Sequence, residues 1–81
     1  MLNIRVLVYQ YEIQLIADNE YSIKKIVDFV ANLGVCIVGV IVENNPDILF
    51  EEEFSFTEPD ELLEFLINLY RDNLPEPIIE K

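Results

Sequence analysis

The sequence predicts a two-layer α+β sandwich: an antiparallel sheet with two helices on one of its faces. Three observations predict it. Apolar residues alternate with a period of two in two stretches and run unbroken in a third, they recur at helical spacing in two others, and the stretches follow one another as β-α-β-β-α. The 81 residues fit one domain. Residues 1–73 form its body, and residues 74–81, with two prolines, form a C-terminal arm.

Residues 3–17 read as extended. Ile4, Val6 and Val8 share one phase, and Tyr11, Ile13, Leu15 and Ala17 share the other. A phase switch near Tyr9-Gln10 means either a bulge in one long strand or a hairpin of two. No Gly, Pro or Asn marks a tight turn there, which favours the bent strand. Asp18-Asn19-Glu20 is a polar break that offers helix-capping side chains. Ile23, Ile26, Val27, Val30 and Leu33 then follow at helical spacing, and Gly34 stands where a helix ends on a left-handed residue.

Val35 to Val42 is apolar on both faces and rich in β-branched residues, which marks a central strand. Cys36, within that run, reads as a small core residue. Glu43-Asn44-Asn45-Pro46-Asp47 is a turn by composition. Ile48, Phe50, Phe54 and Phe56 next alternate with Leu49, Glu51, Glu53 and Ser55, giving a strand with one wet face. Thr57-Glu58-Pro59-Asp60 starts the second helix with a capping hydroxyl, a proline in the first turn and acids near the positive dipole end. That helix is expected to run to about Asp72. The tail from Asn73 to Lys81 is either an extended arm or a short edge strand.

This order is that of the ferredoxin-like two-layer sandwiches, with any additional edge strand coming from the tail or from a split first strand. Within that group, the stretch from Ser22 to Tyr70 resembles an ACT domain. The resemblance rests on a helix ending in Leu33-Gly34-Val35, a strand beginning Cys36-Ile37, a second strand and a second helix. It implies a regulatory module that dimerises and binds a small ligand beside the loop before the first helix. Here that loop is Asp18, Asn19, Glu20 and Tyr21, with no glycine where ACT domains usually carry one.

Composition narrows the function. Sixteen Asp and Glu against five Lys and Arg give a formal charge of −11. Such a surface repels phosphate backbones and anionic headgroups, so neither direct nucleic-acid binding nor membrane-surface binding is expected. It attracts basic proteins. With 52% hydrophobic residues the chain is too apolar for a disordered acidic tail. No signal-peptide pattern opens the sequence, and its longest apolar run, Leu33 to Val42, is far short of the ~20 residues of a membrane helix, so a cytoplasmic protein is expected.

Catalysis finds little support. Without histidine, the commonest general base and the usual nucleophile-activating pairs are missing. One cysteine and no histidine leave no thiolate or imidazole zinc set, and two glycines, Gly34 and Gly39, make no phosphate loop. No cofactor and no metal are expected, and the carboxylates read as a solvated acidic face.

Two surfaces carry the functional expectation. On the second helix, apolar side chains from Leu62 to Tyr70 cover an arc of roughly 200° at ~100° per residue, about twice what packing on one sheet requires. Leu62, Phe65, Leu66 and Leu69 suffice for a core. Leu63, Ile67, Tyr70 and Leu74 form a second stripe, expected to meet another copy in a homodimer or to lie under the tail.

The other surface is a carboxylate-rich face of Glu51, Glu53, Glu58, Glu61 and Glu64, expected to dock a basic protein partner. Glu51 and Glu53 project from one strand face about 7 Å apart, twice the rise per residue. That is close to the phosphate interval of a nucleic-acid strand, so an inhibitor that imitates nucleic acid is the alternative reading. An ACT-like small-molecule sensor is a further one. Glu52, in phase with Phe50 and Phe54, is either an edge charge that blocks pairing, a residue turned out by a bulge, or one half of an ion pair.

Overall fold

A computed structural model of the chain describes residues 1–74. Strands β1 (Leu2–Val8) and β2 (Ile13–Ala17) are followed by helix α1 (Glu20–Leu33). Strands β3 (Ile37–Asn44) and β4 (Asp47–Ser55) are followed by helix α2 (Pro59–Asn73). The strands form one sheet in the order β2-β1-β3-β4, and every neighbouring pair is antiparallel. The two helices pack against each other and against the sheet. This is the expected two-layer α+β arrangement, with an element order of β-β-α-β-β-α.

The additional strand comes from the opening segment, which is a hairpin and not the single bent strand favoured from the sequence. Val8 pairs with Ile13, and the chain reverses through a 3₁₀ turn at Tyr9–Tyr11. Glu12 closes the turn at φ 54°, in the left-handed region, where its N–H reaches the Tyr9 carbonyl at 3.2 Å. Glycine or asparagine usually takes that position, because a Cβ there costs about 1–2 kcal/mol. A glutamate hides the turn from a reading by composition. The phase switch near Tyr9-Gln10 was its only trace. Beyond Leu74 the tail, proposed as an arm or edge strand and as a cover for α2, lies outside the described residues.

Register assigns the paired strand residues to faces; a bulge in β4 opposite Val42 and Glu43 leaves Leu49 unpaired and sets Ile48, expected in phase with Phe50, opposite Glu43. Ile4 pairs with Ala17 and Val42, and Val6 with Leu15 and Val40, so these six turn towards the helices. Ile4, Val6, Val40 and Val42 are completely buried there, with Ile23 and Val30 of α1 and Leu62 and Leu66 of α2. Phe65 of α2 stacks on Phe54 at 4.0 Å between ring centroids and meets Phe50 edge-on at 6.0 Å, fastening the helix to β4.

The helix ends follow local rules. The Asn19 side chain accepts the Ser22 N–H at 2.8 Å, the Ser22 hydroxyl accepts the Asn19 N–H in return, and Gly34 ends α1 at φ 73°. Past Gly34, Val35 turns inward and Cys36 is exposed, contrary to its expected core position. β3 starts only at Ile37, so Cys36 lies just before the strand, although the apolar run was read as buried on both faces from Val35. Its carbonyl accepts the Phe56 N–H at 2.8 Å, joining the two chain segments beside the helix starts and ends.

Candidate interaction surface

Both helices lie on one side of the sheet, and no described element covers the other. The same register that buries Val6 and Val40 turns Asn3, Arg5 and Leu7 of β1 to the uncovered side, with Gln14 and Ile16 of β2. Ile37, Gly39, Ile41 and Glu43 of β3 join them, as do Glu51, Glu53 and Ser55 of β4. Across the strands these residues form two rows. One reads Ile16, Arg5, Ile41, Glu51, and the next reads Gln14, Leu7, Gly39, Glu53. Both rows thus begin on an uncharged residue at the β2 edge and end on a carboxylate at the β4 edge.

Tyr9 stands on this surface. A Cβ on Gly39 would run into its hydroxyl and ring, so the ring lies across the one position of β3 that has no side chain. On either side of Tyr9 is a shallow depression of about 300 Å³. One is lined by residues that include Leu7, Glu12 and Gln14, the other by residues that include Leu7, Ile41, Glu51 and Glu53. Tyr9 is 54% exposed, Ile16 58% and Ile37 46%, so an apolar patch stays open to solvent beside the acids.

The charges of this face are unequal in their freedom. Arg5 and Glu43 form an ion pair at 2.7 Å, partly buried between the neighbouring side chains. The Arg5 Nε is buried without a hydrogen-bond partner. Glu51 and Glu53 are exposed and form no ion pair among the described residues. Glu52, between Phe50 and Phe54 on the helix side, is exposed because β4 is the sheet's edge, which resolves its three readings in favour of an edge charge.

The five carboxylates expected to form one docking face are divided. Glu51 and Glu53 lie on the uncovered side of the sheet, whereas Glu58, Glu61 and Glu64 belong to the start of α2 on the other side. Glu61 is engaged with its own helix end. It accepts the Thr57 hydroxyl and the Glu58 N–H, and the Thr57 hydrogen bond, followed by the backbone ones, holds its carboxyl below the ordinary value. Glu64 is exposed.

The second stripe of α2 is largely occupied within the chain. Leu63, Ile67 and Tyr70 are half-buried against the core, and the Tyr70 hydroxyl donates to the Asp18 carbonyl at 2.8 Å, just ahead of α1. Their common helical face looks towards α1, a neighbour whose position the sequence did not reveal. Leu74 alone of the four is exposed. The loop Asp18–Tyr21 is held by the same end of α2. Arg71 pairs with Glu20 through two hydrogen bonds of 2.8 Å, which lower the Glu20 carboxyl below its usual range. Asn19 caps α1, and Tyr21 is exposed with the Lys25 ammonium 4.8 Å from its ring centroid.

Sequence reasoning singled out Glu51 and Glu53 and missed the apolar residues beside them. The signal was present: β3 is apolar on both faces, yet two helices can cover only one face of a sheet this wide. Among the described residues no group of three or more His, Cys, Asp or Glu is placed to hold a metal ion, and no helix is long and apolar enough to cross a membrane. Comparison of the chain with protein-family models, with curated proteins and with solved structures finds no match.

Proposed function

We propose that this protein is a non-enzymatic docking module that binds a basic protein partner in the cytoplasm through its acidic surface. The observation that carries the reading is the imbalance between charge and pairing. Against a formal charge of −11, the described residues hold two ion pairs, Arg5–Glu43 and Arg71–Glu20. Unpaired exposed carboxylates contribute little to folding, but they speed and orient encounter with a cationic surface.

Dimerisation through Leu63, Ile67, Tyr70 and Leu74 would rely on the little that the first three leave exposed and on Leu74, so docking is assigned to the monomer's own acids. The loop Asp18–Tyr21 commits its cap, its Asp18 carbonyl and its Glu20 carboxylate to internal bonds, which favours docking over an ACT-like sensor. The pitch of Glu51 and Glu53 supports a second reading, in which the basic surface is the groove of a nucleic-acid-binding protein.

The test is capture of partners on the immobilised protein at low and at high salt, beside a variant carrying Glu51→Gln, Glu53→Gln and Glu64→Gln. Glu61 is left intact because it caps α2. A docking module retains a basic protein at low salt, releases it as salt rises, and loses it in the variant while the circular dichroism spectrum is unchanged. Release by added nucleic acid identifies the second reading. A partner held equally by the variant overturns both.

A further inference from the structure

We infer that docking takes place on the uncovered face of the sheet, and that this face selects a segment combining apolar side chains with arginine or lysine on its β4 side. The inference rests on the proposed docking function and names the surface and the partner's chemistry. Three features of the face lead to it.

The first is its apolar centre. Leu7 and Ile41 are adjacent on the central strands, Ile16 and Ile37 extend the patch, and Tyr9 rises between two depressions. Covering such a patch removes apolar area from water at about 25 cal/mol per Å². The second is the one-sided placing of free charge. Moving from β2 to β4, each row ends in a carboxylate, Glu51 or Glu53, and both line the depression that has Leu7, Ile41 and Tyr9 on its other sides. A long cationic side chain suits that geometry, because its methylene stem can lie on Leu7 and Ile41 while its head meets the carboxylates. A guanidinium can in addition stack on the Tyr9 ring.

The third is the absence, among the described residues, of a free cationic side chain on the same face of a second copy. Arg5 is the only cationic side chain on this face among the described residues, and Glu43 already holds it. Two such faces brought together would leave Glu51 and Glu53 of each copy without a counter-charge. Charge complementarity therefore selects a basic partner over self-association.

The experiment uses two synthetic peptides of equal length and equal positive charge, one alternating arginine with leucine and the other alternating arginine with serine. Binding to the full chain is measured by titration calorimetry, with methyl NMR to locate it. The arginine–leucine peptide is expected to bind about tenfold more tightly, a difference of ~1.4 kcal/mol, and to shift the methyl signals of Leu7, Ile16 and Ile41. Ile16→Ser combined with Ile41→Ser is expected to abolish that advantage and leave the arginine–serine peptide unaffected. Equal binding of both peptides, or shifts confined to α2, overturns the inference while the docking function stands. Failure of both peptides to bind at low salt overturns the docking function as well. Sedimentation as a dimer that protects Ile16 and Ile41 assigns the face to a second copy and overturns the inference.

Discussion

The two faces of the sheet are built from alternate residues of the same strands and have opposite fates. On β1, Ile4 and Val6 are fully buried while Arg5 and Leu7, one residue away, are partly open. On β3, Val40 is fully buried while Ile41 is not. The helix-side residues of β1 and β3 are aliphatics that pack under α1 and α2, and β4 adds Phe50 and Phe54 against Phe65. The other side mixes aliphatics, an aromatic, one ion pair and a row of free acids. A period of two thus separates the part of the sequence that holds the fold from the part available to a partner.

That contrast can be broken most directly by deleting volume on each side. Leu62→Ala, in the helix-side core, is expected to lower unfolding free energy by about 2–5 kcal/mol, because the fully buried site cannot collapse around the lost atoms. Ile41→Ser, on the uncovered side, is expected to cost less than about 1.5 kcal/mol. Urea denaturation of both variants checks the pair. Equal losses would mean that the second face is as well covered as the first.

Glu12→Asn addresses the turn joining β1 to β2. Asparagine tolerates the left-handed conformation better than glutamate, so a gain of up to about 1 kcal/mol is expected in the same measurement. Gly39→Ala has a smaller effect on stability, within about 1 kcal/mol, since the new methyl meets the end of a side chain that can swing aside. Its signature is local: the Tyr9 ring signals should move in the NMR spectrum as the ring leaves the sheet.

The smallest effect concerns Glu61, whose carboxyl lies below its ordinary value of 4.5. A depressed carboxyl stabilises the folded chain above its unfolded value, and the contribution disappears as pH falls through the lower folded value. The stability difference between the wild type and Glu61→Gln should therefore be level near neutrality and close in the acid range. Thermal melts across pH measure it, and a difference that widened on acidification would contradict the hydrogen bonds from Thr57 and Glu58.

The layers, both helices and the inward phases of β1 and β2 were legible because each has a local cause, whereas Ile48, read in phase with Phe50, is set opposite Glu43 by a bulge in β4. Ile4, Val6 and Val8 alternate, Ile23 to Val30 repeat at helical spacing, and Asn19 and Gly34 cap α1 through their own side-chain and backbone chemistry. The hairpin was not legible, because Glu12 takes a conformation its residue type rarely adopts. Cys36 was misplaced because the whole apolar run was taken as a strand buried on both faces, whereas the strand starts one residue later and only one of its faces is covered. The half-burial of Leu63, Ile67 and Tyr70 depends on α1 lying alongside, a tertiary fact with no local signature. On the candidate surface, Glu51 and Glu53 stood out by charge, whereas Leu7, Ile16 and Ile41 look like core residues until the helices are assigned to a side.

One consequence follows from β4 forming the sheet's nine-residue margin with Glu51, Glu52 and Glu53 at its middle. A like strand laid antiparallel along that margin would set glutamate against glutamate, which disfavours growth of the sheet from molecule to molecule. The residues proposed to meet a cationic partner thus also disfavour stacking into filaments. Substitutions that neutralise them to weaken one property surrender the other.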